Sequence, residues 1–386
     1  MTSPPTALRL DLIRWYLKDR RDLAWRRTRD PYAVWLSEVM LQQTRVEAVL
    51  GYWARFLDAL PTVEALASAS EEQVVALWSG LGYYRRARSL HAAAKRVVDE
   101  YGGTLPSGVA SLAALPGFGP YTVGAVRSIA FGESAALVDG NVARVLSRLF
   151  ALELEPGAGA SNRVLWAVAE SLVPAALSKA ARLKDPRSLE CRDPQGQMAT
   201  DSGPGTWNQA LMELGATICA PTRAAKKSTR GPLCDTCPVS RHCLAYAAGR
   251  THELPLVKKP VPSIEVALEI LVIETEAGFL MRRRPDSGRL ASMWEFPTRE
   301  VDSTFLWPDE FDRATATGSV SELWSLGSPQ KNHLHAITCH RIRASVRHFG
   351  TNKSSHPPST NYDYVPRERM ESLPLTGLSA KIMAAL

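Results

Sequence analysis

Apolar residues recur at helical spacing through most of the first 250 positions of the chain. The first such run covers Leu8 to Leu17, and a longer one begins at Pro31 and breaks near Gln42–Thr44. Further helices are predicted at about 62–68, 71–79, 85–100 and 107–115. No period-two alternation, which is typical of strands, occurs before residue 260. The pattern therefore predicts that the first two thirds of the chain is all-α.

The pattern changes beyond residue 250. A segment marked by Pro and Lys, from Leu254 to Pro262, has the composition of a semi-rigid linker. After it, the apolar run Glu265–Glu274, a turn at Glu276–Gly278 and a second apolar run predict a β-hairpin. Because 386 residues are many for one hydrophobic core, we expect two domains.

The stretch from Leu115 to Asn141 is a candidate for binding phosphate. It begins with the turn Pro116-Gly117-Phe118-Gly119-Pro120 and continues as a helix from about Tyr121. Gly117 and Gly119 permit positive φ and leave backbone N–H groups bare, and the helix N-terminus adds a positive dipole end. Such a hairpin can hold a nucleic-acid phosphate without reading sequence. An ordinary helix–turn–helix connection is the alternative.

Two carboxylates occupy positions suited to acid chemistry. Glu38 lies on an otherwise apolar helix, where desolvation raises the pKa of a carboxyl group toward the range of a general acid. A solvent-facing glutamate in the first turn of a helix is the alternative. Asp139 directly precedes a predicted helix, which is where a capping aspartate occurs. One protonated and one ionised carboxylate together suit cleavage of a glycosidic bond through an oxocarbenium-like centre.

Four of the six cysteines form a cluster in the sequence. Cys219, Cys234, Cys237 and Cys243 are separated by fourteen, two and five residues. Thiolates at this kind of spacing predict ligands of an iron–sulfur cluster or of zinc, and the residues alone do not separate the two. Cys191 and Cys339 stand apart and are interpreted as small buried or incidental residues.

The net charge of +7 is concentrated in the part of the chain that carries the hairpin. Residues 1–260 contain 32 Lys and Arg against 24 Asp and Glu, whereas residues 261–386 contain 14 against 15. This excess favours a polyanionic partner, with a solvated basic face as the alternative. Since no apolar run approaches membrane-spanning length and no signal-peptide pattern is present, we expect an intracellular protein without a membrane partner.

Taken in order, these motifs resemble those of the adenine DNA glycosylases of the MutY family. The resemblance spans residues 8–250 and rests on WLSEVMLQQT, LWSGLGYYRRARSLH, LPGFGPYTVGA, VDGNVARVL, WNQALMELGATIC and the cysteine cluster. It implies the mainly α helix–hairpin–helix glycosylase fold of two helical lobes with an iron–sulfur loop, plus a small C-terminal α+β Nudix-like domain. The implied divisions are an iron–sulfur lobe (1–29 and 132–250), a helical barrel lobe (30–131), a linker (251–262) and a recognition domain (263–386).

The resemblance implies roles for individual residues. Glu38 matches the acid that protonates adenine at N7, Asp139 the carboxylate that stabilises the sugar cation, and Asn141 a residue that assists at the same site. The side chains that match those around the flipped adenine are Trp25, Arg26 and Glu213.

The resemblance also covers DNA distortion and the metal cofactor. Gln43 and Tyr83 match the side chains that wedge into the duplex, where the gap left by an extruded base must be filled. The four clustered cysteines match the ligands of a [4Fe–4S] cluster. In the family six residues separate the first two ligands; the fourteen here form an extended basic loop after Cys219, and a second insertion at about 178–206 reads as a surface loop with little structure.

Tyr121 occupies the hairpin position at which lyase members of the superfamily carry a lysine that forms a Schiff base. A tyrosine cannot do this, so the resemblance implies a monofunctional glycosylase in base excision repair, acting on adenine opposite 8-oxoguanine or guanine in double-stranded DNA. Two alternatives are an endonuclease III-like glycosylase/lyase for oxidised pyrimidines and a catalytically silent mismatch-binding protein. The missing lysine argues against the first, and intact Glu38 and Asp139 argue against the second.

The C-terminal domain of the family reads 8-oxoguanine through a segment resembling H-x-F-[ST]-H. The matching stretch here runs from His335 to His340, with Thr338 at the hydroxyl position and Cys339 in place of a histidine. A simple pair of basic strands over 333–349 is the alternative. The metal-binding carboxylates of Nudix hydrolases are missing after Arg299-Glu300, at Asp302–Phe305, so we expect recognition without hydrolysis.

The resemblance sets the remaining expectations about partners and location. We expect a monomer that meets replication or repair proteins through the linker. In a eukaryote it would act in the nucleus, with the mitochondrion as a second compartment, and in a bacterium in the cytoplasm.

Overall fold

The computed structural model describes residues 6–155, 159–175, 191–192, 198–199, 203–221, 231–256, 262–286, 290–301, 331–337, 339–350, 361–370 and 373–386. The chain divides into two compact units, residues 1–68 with 89–259 and residues 69–88 with 260–386. The division into an iron–sulfur lobe (1–29 and 132–250) and a barrel lobe (30–131), and the linker at 251–262, stay predictions. Over the described ranges, no helix is long and apolar enough to cross a membrane.

Helices form up to residue 250 where the apolar spacing predicts them. In chain order they are α1 (Thr6–Asp19), α2 (Pro31–Leu41), α3 (Val46–Ala59), α4 (Val63–Ser68), α5 (Glu71–Leu77), α6 (Arg85–Tyr101), α7 (Val109–Ala113), α8 (Pro120–Ala125), α9 (Gly140–Leu149), α10 (Gly159–Leu172), α11 (Pro204–Thr217) and α12 (Leu244–Ala247). The helix α5 and the start of α6 belong to the second unit. A single π-turn, Val126–Ala130, continues α8.

The helix α2 is the most deeply buried element of the first unit that carries a predicted site residue. It starts with Pro31 in its first turn, and the Asp30 side chain caps it by accepting a hydrogen bond from the Ala33 amide at 2.8 Å. Every residue from Tyr32 to Met40 is buried. A helix that is apolar on all sides lies inside its domain, so a carboxylate on α2 is removed from water.

The core of the first unit joins the N-terminal helix to the later ones. The helix α1 packs with α9, α10 and α11, and the buried side chains that share this core include Leu8, Leu12, Tyr16, Val145, Leu146, Leu165, Trp207 and Leu211. Val34 of α2 and Ala125 of α8 reach the same core. The helices that carry the predicted chemistry are therefore packed against one another.

One expectation about this region is wrong in detail. Two short antiparallel strands, β1 (Cys191–Arg192) and β2 (Met198–Ala199), form within the part of the chain predicted to be all-α, inside the stretch 178–206 that the composition predicts as a surface loop with little structure. The helix α11 also begins within it, at Pro204. Ladders of two residues leave no alternation long enough to detect in a sequence, which explains the difference.

The second unit is α+β, as predicted. Its strands are β3 (Ile264–Thr275), β4 (Gly278–Arg283), β5 (Trp294–Glu295), β6 (Thr298–Glu300), β7 (Lys331–Ile337), β8 (His340–Gly350) and β9 (Tyr362–Val365), with helices α13 (Arg367–Met370) and α14 (Gly377–Met383). The strands β3 and β8 pair in parallel, and the predicted hairpin is β3–β4. One face of the sheet packs under α14 through a core that includes Val266, Ile270, Phe296, Leu378 and Ile382.

Candidate active site

Glu38 lies in the interior of the first unit, with 5% of its surface exposed. Its Oε2 accepts a hydrogen bond from the Tyr121 hydroxyl at 2.5 Å. Burial raises the pKa of Glu38 to about 7; the charge of Asp139 acts in the same direction, and the hydrogen bond from Tyr121 acts against it. The carboxyl group can therefore hold a proton near neutral pH and give it up, which the solvent-facing alternative would not allow.

The raised pKa of Glu38 predicts a pH-dependent cost to stability. Because its folded pKa of about 7 lies above the reference value of 4.5, wild-type stability falls as the pH rises from about 4.5 through about 7. Glutamine does not titrate, so above that window Glu38→Gln should raise the free energy of unfolding over wild type by up to about 3 kcal/mol. Urea unfolding below and above the window measures this gain, and an equal difference at both pH values would contradict the raised pKa.

Asp139 caps α9 and lines the same cavity as Glu38. Its Oδ1 accepts a hydrogen bond from the Val142 amide at 2.7 Å, and its Oδ2 accepts one from Asn141 Nδ2 at 2.9 Å. Burial raises the pKa of Asp139 above its ordinary value, and these hydrogen bonds, which favour the carboxylate, offset only part of that rise. Asp139 is thus a helix cap, and the same two donors, the Val142 amide and Asn141 Nδ2, hold its carboxylate in place.

The hairpin presents Tyr121 on the first turn of α8. Gly117 has φ +80°, and a Cβ at this position would lie 2.8 Å from Ser89 Cβ, so only glycine fits. Gly119 has φ −85° and open space around it. Of the two glycines that permit positive φ, only Gly117 uses it.

Glu213 is the centre of a buried ionic cluster. It accepts hydrogen bonds from Arg21 Nη2 and Arg26 Nη2, both at 2.7 Å, and Arg26 also lies over the Tyr16 ring. Burial would raise the pKa of Glu213, but these arginines outweigh it and hold that pKa at about 2. The neighbouring Trp25 is buried edge-on against Trp53, with ring centroids 6.1 Å apart. Glu213 therefore stays ionised and fixes the loop that carries Trp25.

One cavity of about 1030 Å³ collects most of the predicted residues of the first unit. Those that line it are Trp25, Arg26, Glu38, Gln43, Gly117, Gly119, Tyr121, Asp139, Asn141 and Glu213. Met212 joins them and accepts a weak hydrogen bond from the Tyr121 hydroxyl at 3.4 Å. The volume is ample for one nucleobase and its sugar.

The two predicted wedge residues share an unusual backbone conformation. Gln43 has φ +57° and Tyr83 has φ +51°, and both side chains are exposed. Left-handed conformations are costly for residues with a Cβ and are typical of functional positions. Tyr83 belongs to the second unit, where it lines a separate cavity of about 510 Å³.

The four clustered cysteines line one pocket, formed with α9 and α11. Its other walls include Leu149, Leu214 and Val239. Burial raises the pKa of Cys237 to about 12. Arg148, itself buried, donates a hydrogen bond to Cys219 Sγ at 3.3 Å. Thiols gathered in an apolar pocket beside a guanidinium fit a thiolate-bound metal group, which would carry negative charge.

Arg144 is a site residue that the sequence reasoning missed. Its Nε donates to the Cys219 carbonyl at 2.7 Å, and its Nη2 donates to Asn141 Oδ1 at 2.9 Å. Arg144 thereby links the backbone of a clustered cysteine to the amide that contacts Asp139. Nothing local distinguishes an arginine on an amphipathic helix, and its spacing of three from Asn141 is the only signal available.

The predicted 8-oxoguanine segment lies in the second unit. Thr338 falls outside the described residues, as do Asp302–Phe305. Cys339 is half-buried and its sulfur lies 3.8 Å from His340 Nδ1; the His340 ring also faces the Ile337 carbonyl. His340 starts β8, so this segment connects the two strands β7 and β8.

Comparison with known proteins finds similar sequences and structures. Residues 36–171 match the model of the HhH-GPD superfamily base excision DNA repair proteins, and this range contains Glu38, the hairpin and Asp139. The structure of a thermostable thymine-DNA glycosylase aligns with 62% of this chain and 95% of its own, at 29% identity and a TM-score of 0.48.

Two relatives match a larger share of the chain. An adenine DNA glycosylase of Homo sapiens is 37% identical over 347 residues, which cover 76% of this chain but 57% of that protein. The chain thus spans little more than half the length of its human relative. An adenine DNA glycosylase of Schizosaccharomyces pombe is 33% identical over 364 residues, covering 79% of this chain and 71% of that protein. The motif resemblance is confirmed: this chain belongs to the adenine DNA glycosylase family.

Proposed function

We propose that this chain is a monofunctional adenine DNA glycosylase of base excision repair. The observation that carries the proposal is that Glu38 and Asp139, two carboxylates with different surroundings, line one cavity that is ample for a nucleobase and its sugar. Glu38 is buried among apolar residues and retains a proton near pH 7. Asp139 accepts two hydrogen bonds that favour its ionised form. Most glycosidases cleave their bond with two carboxyl groups in contrasting environments, one protonated and one ionised.

The reaction follows from these two protonation states. An adenine flipped into the cavity accepts the proton of Glu38 at N7, and the weakened bond to the sugar breaks with its electron pair leaving on the base. Asp139 stabilises the resulting oxocarbenium-like sugar. Water then adds to the sugar carbon and loses a proton, so the products are free adenine and an abasic site. Tyr121 orients Glu38 through its hydrogen bond.

The remaining cavity residues suit the holding of a flipped base. Trp25 offers an apolar wall, and the Arg26–Glu213 pair offers polar atoms at the edge of the cavity. Gln43 and Tyr83, exposed at positive φ, are the wedge residues that fill the space left in double-stranded DNA. The backbone amides of Gly117 and Gly119 are proposed to bind one backbone phosphate. Since Tyr121 stands where a lyase needs an amine, strand cleavage does not accompany base release.

The cysteine pocket is proposed to hold a [4Fe–4S] cluster. Cys219, Cys234, Cys237 and Cys243 would be its ligands. The support for an iron–sulfur cluster is that these four cysteines share one pocket and match the cysteine motif of the family. When bound, the cluster would supply covalent links between the end of α11 and residues 234–243.

The cluster proposal predicts iron content residue by residue. Cys237→Ser should lose most bound iron and acid-labile sulfide, because a hydroxyl is a poor ligand for iron in a thiolate site. Cys339→Ser, a change at a half-buried cysteine outside the pocket, should keep both. Chemical iron assay of the purified proteins measures this. Equal iron in both variants would contradict the ligand assignment.

The substrate is proposed to be adenine opposite 8-oxoguanine or guanine. The segment Thr338–His340 is proposed to recognise the 8-oxoguanine. Single-turnover release of base from duplexes with A:8-oxoguanine, A:G, A:T and thymine glycol pairs tests this. Fast release from the first two and none from the others is expected. Release of adenine at equal rates opposite every base would contradict the role of Thr338–His340. Release of thymine glycol would favour an endonuclease III-like activity.

A further inference from the structure

The segment that delivers Asp139 to the cavity has no secondary structure of its own. The connector, residues 131–139, joins the π-turn Val126–Ala130 to α9 and contains neither helix nor strand. Glu38 and Tyr121 are held by α2 and α8. Asp139 is held on one side by its capping contact with α9, so the distance between the two carboxylates depends on α9 and on what fixes the connector on the other side.

A buried amide provides that link. Asn208 of α11 is 1% exposed, and its Nδ2 donates both hydrogens, one to Ser128 Oγ and one to the Ala135 carbonyl, each at 2.8 Å. Ser128 is equally buried and donates in turn to the Gly124 carbonyl at 2.7 Å. The Ala135 carbonyl can only accept, so the amide orientation is fixed by chemistry. Three pieces, α8 with its π-turn, the connector and α11, are joined by one side chain.

Two glycines bring the same three pieces into backbone contact. A Cβ on Gly124 would lie 1.9 Å from the Ala136 carbonyl oxygen of the connector. A Cβ on Gly205, at the start of α11, would lie 2.6 Å from the Ser128 carbonyl oxygen. No side chain fits at either position, so the elements approach as closely as backbones can. The Asn208 amide sits at this junction, where small displacements of the connector are resisted.

We infer that Asn208 is a positioning residue for the reaction, acting through Ser128 and Ala135 to hold Asp139 at its working distance from Glu38. This inference rests on the proposed function, since it assigns Asp139 its role there. Asn208 itself does not line the cavity. Loss of the Asn208 amide would not change the shape of the cavity, but it would displace the charge of Asp139. The chemical step would therefore slow, while the affinity for DNA would stay the same.

The test compares Asn208→Leu and Ser128→Ala with a matched control. Ser147 of α9 is also 1% exposed, and its hydroxyl donates to the carbonyl of Ala143 in the same helix at 2.7 Å. Ser147→Ala thus removes a similar hydrogen bond elsewhere in the same unit. Three quantities are measured on the full chain: amide hydrogen exchange of peptides covering 131–139, the single-turnover rate of adenine release, and affinity for a duplex with a non-cleavable adenine analogue.

The inference predicts a local effect in both variants. Connector amides should exchange at least about tenfold faster, adenine release should fall about tenfold and affinity should not change, whereas Ser147→Ala should match wild type in all three. If Asn208→Leu does not fold, the smaller change Ser128→Ala decides the outcome. Unchanged connector exchange, or faster exchange with an unchanged release rate, would overturn the inference. If wild type releases no adenine but the connector still loosens only in these variants, the proposed function fails and the role of Asn208 in holding the connector stands.

Discussion

Glu38→Gln is expected to reduce adenine release by at least about 100-fold in single turnover. Glutamine has nearly the same shape and can still accept the hydrogen bond from Tyr121, but it has no proton to donate. A positioned general acid contributes about 100-fold to 10,000-fold to a rate. The measurement is the rate of base release at saturating enzyme, with affinity for the duplex determined in parallel.

The control for this variant is Glu100→Gln. Glu100 is exposed on α6 and pairs with Arg96 one turn away, so its neutralisation should change neither release nor binding. If Glu38→Gln released adenine at the wild-type rate, Glu38 would be a buried structural carboxyl and the proton would have to come from elsewhere.

Asp139→Asn is expected to separate catalysis from folding. Asparagine caps a helix about as well as aspartate, so the free energy of unfolding should change by no more than about 1 kcal/mol. The negative charge beside the sugar is lost, however, and removal of such electrostatic stabilisation costs about 100-fold or more in rate. Thermal unfolding and single-turnover release on the same preparations measure the two effects.

Asp30→Asn supplies the matched comparison. Asp30 caps α2 through the Ala33 amide just as Asp139 caps α9 through the Val142 amide, but Asp30 does not line the cavity. Its variant should show a similar change in stability and wild-type release. Equal activity in both variants would reduce Asp139 to a helix cap.

The sequence predicts much of the first unit because its signals are local. Pro31 and the break at Gln42–Thr44 mark the ends of α2, and apolar spacing locates most other helices within a few residues. The burial of Glu38 follows from its apolar neighbours on one helix. The sequence does not distinguish the two roles of Asp139, because an aspartate at this position can be a helix cap or a cavity carboxylate. The fold shows that it is both.

Other features depend on contacts between distant segments. The contacts of Arg144 with Cys219 and of Asn208 with Ser128 have no sequence signature, because the partners lie about 70 to 80 residues apart along the chain. The strands β1 and β2 are too short to produce a period. The left-handed backbone at Gln43 and Tyr83 also has no local cause, since neither residue type favours it.

The most direct test of the account is one reaction with wild-type protein on a duplex that holds a single adenine opposite 8-oxoguanine. The free base is separated by chromatography, and the strand is analysed before and after alkali. We expect adenine in the free fraction and a strand that breaks only after alkali, as water-dependent cleavage without a Schiff base requires. An intact adenine strand would contradict the assignment of Glu38 and Asp139, and breakage without alkali would contradict the interpretation of Tyr121.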